Sequence, residues 1–91
     1  MTQEHDELKL ALKNMIVVEC DTDWLPEDIP DDIALIGDGL GLDSLDALEI
    51  CVAVHRKYGV RIEAGPDVRK ALRSIHALAD TILEMQAKSS E

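Results

Sequence analysis

Ser44 stands where a hydroxyl can be modified. The run Gly41-Leu42-Asp43-Ser44-Leu45-Asp46 sets it at the start of an apolar helix, directly after the glycine-rich stretch Gly37-Asp38-Gly39-Leu40-Gly41. A helix N-terminus presents unpaired N–H groups and the positive end of the helix dipole. Such a position favours a phosphate ester. Asp43, beside the serine, is placed to orient a modifying enzyme's metal or to contact its basic groups. Taken alone, an Asp-Ser pair is more often just a helix cap. Nucleophilic catalysis is disfavoured. Leu42 and Asp46 flank Ser44 where a Gly-x-Ser-x-Gly elbow has glycines. His55 lies eleven residues further along the same helix, too far to act as its base, which leaves His76 as a remote candidate.

Other chemistry fits less well. Asp21 and Asp23 begin like a calcium loop, but Pro26 falls where the turn glycine belongs and Asp32 replaces the closing Glu. Cys51 and His55 share a helix face, yet two ligands do not make a zinc site, and His5 and Cys20 would have to converge on one by chance. The glycine run lacks the Lys-Ser/Thr of a phosphate-binding loop. No metal site is expected.

The elements that position Ser44 follow from periodicity and punctuation. Leu8, Ala11, Leu12, Met15 and Val18 form one stripe of a first helix. Asp21 to Asp32 breaks the pattern with Pro26, Pro30 and six acids, and the glycine run extends the break. So long a connection in a small domain is usually functional or pinned to the core. Leu25, Ile29, Ile33, Leu35 and Ile36 are available to pin it. A second helix runs from Ser44 to about Tyr58. Asp43 caps it, the Asp43–Asp46 spacing resembles a capping box, and Gly59 stops it. Val60-Arg61-Ile62 is short and extended. Pro66 and Asp67 open a short third helix reaching about Leu72. Ser74 caps the last helix, whose stripe is Ile75, Leu78, Ala79 and Ile82, and Lys88 to Glu91 should fray. The expected fold is all-α: a small four-helix bundle with a long loop between helices 1 and 2 and a short helix 3. Residues 1–91 read as a single domain without internal repeats.

Composition narrows the partners. A chain of 91 residues has room for one small core and little wall around a catalytic pocket, which favours a carrier or adaptor over an enzyme. Trp24 and Tyr58 are the only aromatics, so the core must be aliphatic. The net charge is −10, and between Asn14 and His55 there are eleven acids and no Lys or Arg. That half repels nucleic acid and anionic membranes and steers basic proteins toward itself. From Arg56 onward seven basic residues face five acids. No apolar run is long enough to span a bilayer, and Met1 to Lys9 lacks the apolar core of a signal peptide. Cys20 and Cys51 read as buried thiols of a cytoplasmic protein, and a monomer is expected.

The second helix carries two apolar stripes. Ala47, Ile50, Cys51, Val54 and Tyr58 make a complete core face. Leu45, Leu48, Glu49, Val52 and Arg56 make another with the same spacing. In so small a bundle each helix must show one side to water, so the second stripe, with Asp46 at its start, is expected to bind a partner.

Gly41-Leu42-Asp43-Ser44-Leu45-Asp46 resembles the phosphopantetheine attachment motif of acyl carrier proteins. The resemblance continues through Leu48-Glu49, Tyr58-Gly59-Val60 with Ile62, and Ala79 with Ile82, and so covers nearly the whole chain. It implies that a phosphopantetheinyl transferase joins 4'-phosphopantetheine from coenzyme A to Ser44. Acyl groups then ride as thioesters on the arm's terminal thiol and pass to acyl-loading and elongating enzymes of the ketosynthase type. Leu45, Asp46, Glu49 and Val52 align with the family's partner-contact face. One departure stands out: many fatty-acid carriers continue helix 2 with acids, whereas this chain has His55-Arg56-Lys57. Arg69-Lys70 and Arg73, around helix 3, are basic as well. The pattern suggests a dedicated enzyme set in a specialised type II, polyketide-like pathway. A fatty-acid carrier, an aminoacyl or peptidyl carrier, and an acidic helical adaptor that is never modified remain alternatives.

Overall fold

The computed structural model describes residues 3–20, 22–63 and 66–89. Among the described residues four helices follow one another: α1 (Gln3–Cys20), α2 (Ser44–Tyr58), α3 (Pro66–Ala71) and α4 (Ile75–Ser89), with one 3-10 turn at Pro26–Asp28. The fold is all-α, with the long first connection and short third helix read from the sequence; no strand occurs among the described residues. α1 packs against α2, α4 and the 3-10 turn, and α3 lies on α4.

The α2 and α4 boundaries are set by local chemistry. Asp43 caps α2, and Gly59 ends it in the left-handed region at φ 69°, its N–H donating to the His55 carbonyl at 3.0 Å. Ser74 caps α4: its Oγ accepts the Ala77 N–H at 3.0 Å. Ile75, Leu78, Ala79 and Ile82 are all buried, as their spacing requires. α4 continues through Lys88 to Ser89, so the fraying expected from Lys88 is not seen there; residues 90 and 91 lie outside the described residues. Val60 and Ile62 are buried on either side of exposed Arg61, in a segment outside any helix or strand.

The core face of α1 differs from the expected stripe. Leu12, Met15 and Ile16 are buried and Leu8 packs against them, but Ala11 is exposed and Val18 is 77% exposed. The helix is rotated toward Lys9, which is itself buried. Asp31, in the long connection, explains the rotation. Its carboxylate meets Lys13 at 2.7 Å and Lys9 at 3.1 Å, and its carbonyl accepts the His76 N–H at 2.9 Å. The Lys13 hydrogen bond, helped by Lys9 and opposed by partial burial, holds the Asp31 carboxyl below its ordinary range. The connection is thereby tied to α1 and α4 at once.

Apolar side chains pin the rest of the connection. Ile29 and Leu35 are buried and Ile33 is partly so, as expected. Leu25 and Ile36 are not pins: they are 55% and 37% exposed. Leu40 and Leu42 take their place in the core.

Candidate functional site

The approach to Ser44 is a closed backbone turn. The Leu42 N–H donates to the Leu35 carbonyl at 3.2 Å, the Gly37 N–H to the Leu42 carbonyl at 3.0 Å and the Leu40 N–H to the Ala34 carbonyl at 2.8 Å. Ile36 and Leu42 thus form an isolated parallel bridge. Gly37 and Gly41 adopt φ of 83° and 85°, a region that disfavours other residues. Gly39 is required for a different reason: a Cβ there would stand 2.0 Å from the Ala34 carbonyl oxygen. These glycines let the chain fold back tightly, bury Leu40 and Leu42, and deliver Asp43 to the head of α2. The run is a shaped turn rather than a slack tether.

A reciprocal capping box then fixes the helix start. The Asp46 N–H donates to Asp43 Oδ1 at 3.0 Å and the Asp43 N–H to Asp46 Oδ2 at 3.1 Å. Asp43 is extended, and Ser44 is the first helical residue and exposed. The cap is Asp43, so the Ser44 hydroxyl is not needed to hold the helix. That leaves Ser44 without a task in the cap.

Beside Ser44 lies a groove of about 470 Å³ lined by Ala34, Ile36, Ala47, Val68 and Leu72, with Arg69 and Arg73 also in its wall. The lining is aliphatic apart from the serine and the two arginines. A larger groove of about 750 Å³ is lined by Arg61, Lys70, Asp80, Glu84 and Lys88 among others, and Ser44 does not border it. Its mixed charges suit water better than an aliphatic ligand.

Residues 8–82 match the family model described as a phosphopantetheine attachment site. The chain belongs to that family. Its members carry 4'-phosphopantetheine covalently, so this chain is a carrier of the phosphopantetheine type. No curated protein matched the chain significantly. The residues present suit the arm: an exposed hydroxyl at a helix start, free of the capping task, bordering an aliphatic groove with two cations.

The second stripe of α2 is open to solvent in this carrier. Leu45 is 71% exposed, Leu48 59% and Val52 50%, with Glu49 and Arg56 also exposed and Asp46 partly so. His55, Arg56 and Lys57 occupy the last turn, where cations are favoured by the negative end of the helix dipole. The opposite stripe reaches the core through Ile50 and Val54, with Ala47, Cys51 and Tyr58 packed at its margins; Ala53, outside the expected stripe, is buried too.

Neither cysteine is a poised nucleophile. Burial, then the carboxylates of Asp46, Glu49, Glu19 and Asp43, push the Cys20 thiol up to about 11, and burial raises Cys51. The Cys20 Sγ lies 3.8 Å from the Asp46 carbonyl oxygen, at the join of α1 and α2. His5 does not approach Cys20. It meets Asp80 instead, and His76 meets the same carboxylate. Sequence spacing could not show this convergence, because His5 and Asp80 are 75 residues apart.

Proposed function

We propose that this single-domain carrier is an acyl carrier protein whose arm is attached at Ser44. The observation that carries the reading is the Asp43–Asp46 capping box, which leaves an exposed Ser44 hydroxyl as the first residue of α2. A phosphopantetheinyl transferase installs the arm from coenzyme A. Once attached, the arm supplies a terminal thiol that holds the cargo as a thioester. The chain's own residues do the rest. The glycine turn and cap hold the attachment point rigid, the aliphatic groove beside it accepts the near part of the arm or cargo, and Arg69 and Arg73 give that groove a basic character. Asp43 faces the transferase's metal or basic groups.

Leu45, Asp46, Leu48, Glu49, Val52 and Arg56 form the docking face for acyl-loading and elongating enzymes. Fully burying one aliphatic side chain is worth about 1.5–3 kcal/mol, so Leu45, Leu48 and Val52 together offer a partner several kcal/mol. The acids that precede His55 speed encounter with basic enzymes, and the Arg56-Lys57 end selects a dedicated set in a specialised type II pathway. An aliphatic groove favours an acyl cargo over an aminoacyl one. We place the protein in the cytoplasm as a monomer; no described helix is long and apolar enough to cross a membrane.

The test is cargo transfer. The arm-bearing protein is offered in parallel to a ketosynthase-type enzyme with acyl donors and to adenylating enzymes with amino acids and ATP, and intact mass is read. Acyl loading is expected. Aminoacyl loading alone would replace this reading with that of a peptidyl carrier.

A further inference from the structure

His5, His76 and Asp80 bring three potential metal-ligand atoms to one point between α1 and α4, all within 4.8 Å of one another. His5 Nε2 lies 2.9 Å from Asp80 Oδ1, and His76 Nε2 lies 3.2 Å from Asp80 Oδ2. The two imidazole rings meet edge to face with centroids 5.2 Å apart. His76 and Asp80 are one turn apart on α4, so the helix itself sets their spacing. His5 enters from α1 with its side chain only 14% exposed, while His76 and Asp80 are 54% and 56% exposed. One ligand is therefore held by packing, and two face solvent on a single helical turn.

We propose that His5, His76 and Asp80 form a binding site for a borderline transition-metal cation, Zn²⁺ foremost, that clamps the start of α1 to α4. The donor set decides the class: two imidazole nitrogens and one carboxylate suit Zn²⁺ or Co²⁺, whereas Mg²⁺ and Ca²⁺ prefer oxygen ligands throughout. The spacing is within side-chain reach. Tetrahedral zinc with bonds of 2.0–2.2 Å sets its ligand atoms about 3.3–3.6 Å apart; here each histidine meets a different Asp80 oxygen, and the three ligand atoms lie within 4.8 Å of one another. Metal entry thus needs the two imidazoles and one carboxylate oxygen to draw together by side-chain movement. The imidazoles bind as neutral rings, the carboxylate takes up part of the cation's charge, and water completes the shell. The strongly negative net charge favours any cation's approach, so selectivity must come from the histidines. The proposal is independent of Ser44 and of any cargo.

Direct titration with Zn²⁺, followed by calorimetry and by thermal unfolding, tests it on the full chain. One Zn²⁺ per chain is expected, with the melting temperature rising by about 14 °C at a hundredfold excess over Kd. His76→Ala and Asp80→Asn alter solvent-facing groups, and circular dichroism checks that both variants remain folded. Losing even an outer-shell partner of a metal costs about 10–100-fold in affinity, so each should bind at least about a hundredfold more weakly. A Co²⁺ complex should show ligand-field bands without a thiolate charge-transfer band. Four results would overturn the site: no binding, undiminished binding by folded His76→Ala, displacement of Zn²⁺ by excess Mg²⁺, or a thiolate band that assigns the metal to Cys20 or Cys51.

Discussion

The two faces of α2 are built from similar residues and end in opposite surroundings. Ile50, Ala53 and Val54 are buried against the other helices, while Leu45, Leu48 and Val52 are half or more exposed on the other side. Hydrophobicity alone does not distinguish them. Charge does: the buried face is free of it, and the open face carries Asp46, Glu49 and Arg56 among its aliphatics. A face both apolar and charged, left open by a fold with few helices to cover it, has the make-up of a docking surface. Ser44 stands at the head of this helix, where the proposed cargo and partner would meet.

The sharpest way to break the comparison is to truncate each face in turn. Ile50→Ala, in the core, should destabilise the fold by about 2–5 kcal/mol, read as a fall in the denaturation midpoint. A loss under about 0.5 kcal/mol would mean that the buried face has been misplaced. Next in size is the Cys20 thiol of α1, which meets the Asp46 carbonyl of α2. With Cys20 pushed up to about 11 from 9.0, its thiolate at neutral pH is scarcer by about a hundredfold than that of an ordinary thiol. Alkylation by iodoacetamide, followed by mass, should be slower by that factor than in the unfolded chain. The sign for stability follows: the protonated thiol's contribution is fully present below the unfolded value near 9.0 and is lost as pH rises through about 11. Cys20 and Cys51 are only partly buried, not buried as the sequence suggests; equal alkylation rates in folded and unfolded protein would contradict even the partial burial of Cys20.

Features closed within a few residues were legible in the sequence, and features that depend on helix rotation were not. The Asp43–Asp46 box, the Gly59 stop and the Ser74 cap are local bonds, so spacing alone located α2 and the start of α4. The α1 face was misjudged because Lys9 and Lys13 turn inward to Asp31, an ion pair across a long connection that charge patterning along one helix does not reveal. Leu25 and Ile36 looked like pins; the fold-back of the glycine turn set Leu40 and Leu42 there instead. The convergence of His5 with His76 and Asp80 needed the packing of α1 on α4.

Smaller effects sharpen the open face. Leu45→Ala and Glu49→Lys alter exposed residues, so stability should change by about 0.5 kcal/mol or less. Partner turnover should fall with each, and the remaining turnover of Glu49→Lys should lose much of its dependence on salt. A large stability loss with unchanged kinetics would put Glu49 on the wrong face. The smallest effect concerns the basic end. Replacing Arg56 and Lys57 together with Glu should leave folding nearly unchanged, improve use by a generic fatty-acid synthase and impair use by the cognate enzymes. If both enzyme sets are indifferent, the triplet is only a favourable helix end.

The most direct measurement is intact mass after incubation with coenzyme A, Mg²⁺ and a broad-specificity phosphopantetheinyl transferase, for the native chain and for Ser44→Ala. The native chain should gain the mass of one phosphopantetheine group. Ser44→Ala should gain none while keeping its helical spectrum and melting temperature, because Asp43 and not Ser44 holds the cap. An unmodified native chain, or loading of the alanine variant at another serine, would contradict the assignment of the arm to Ser44.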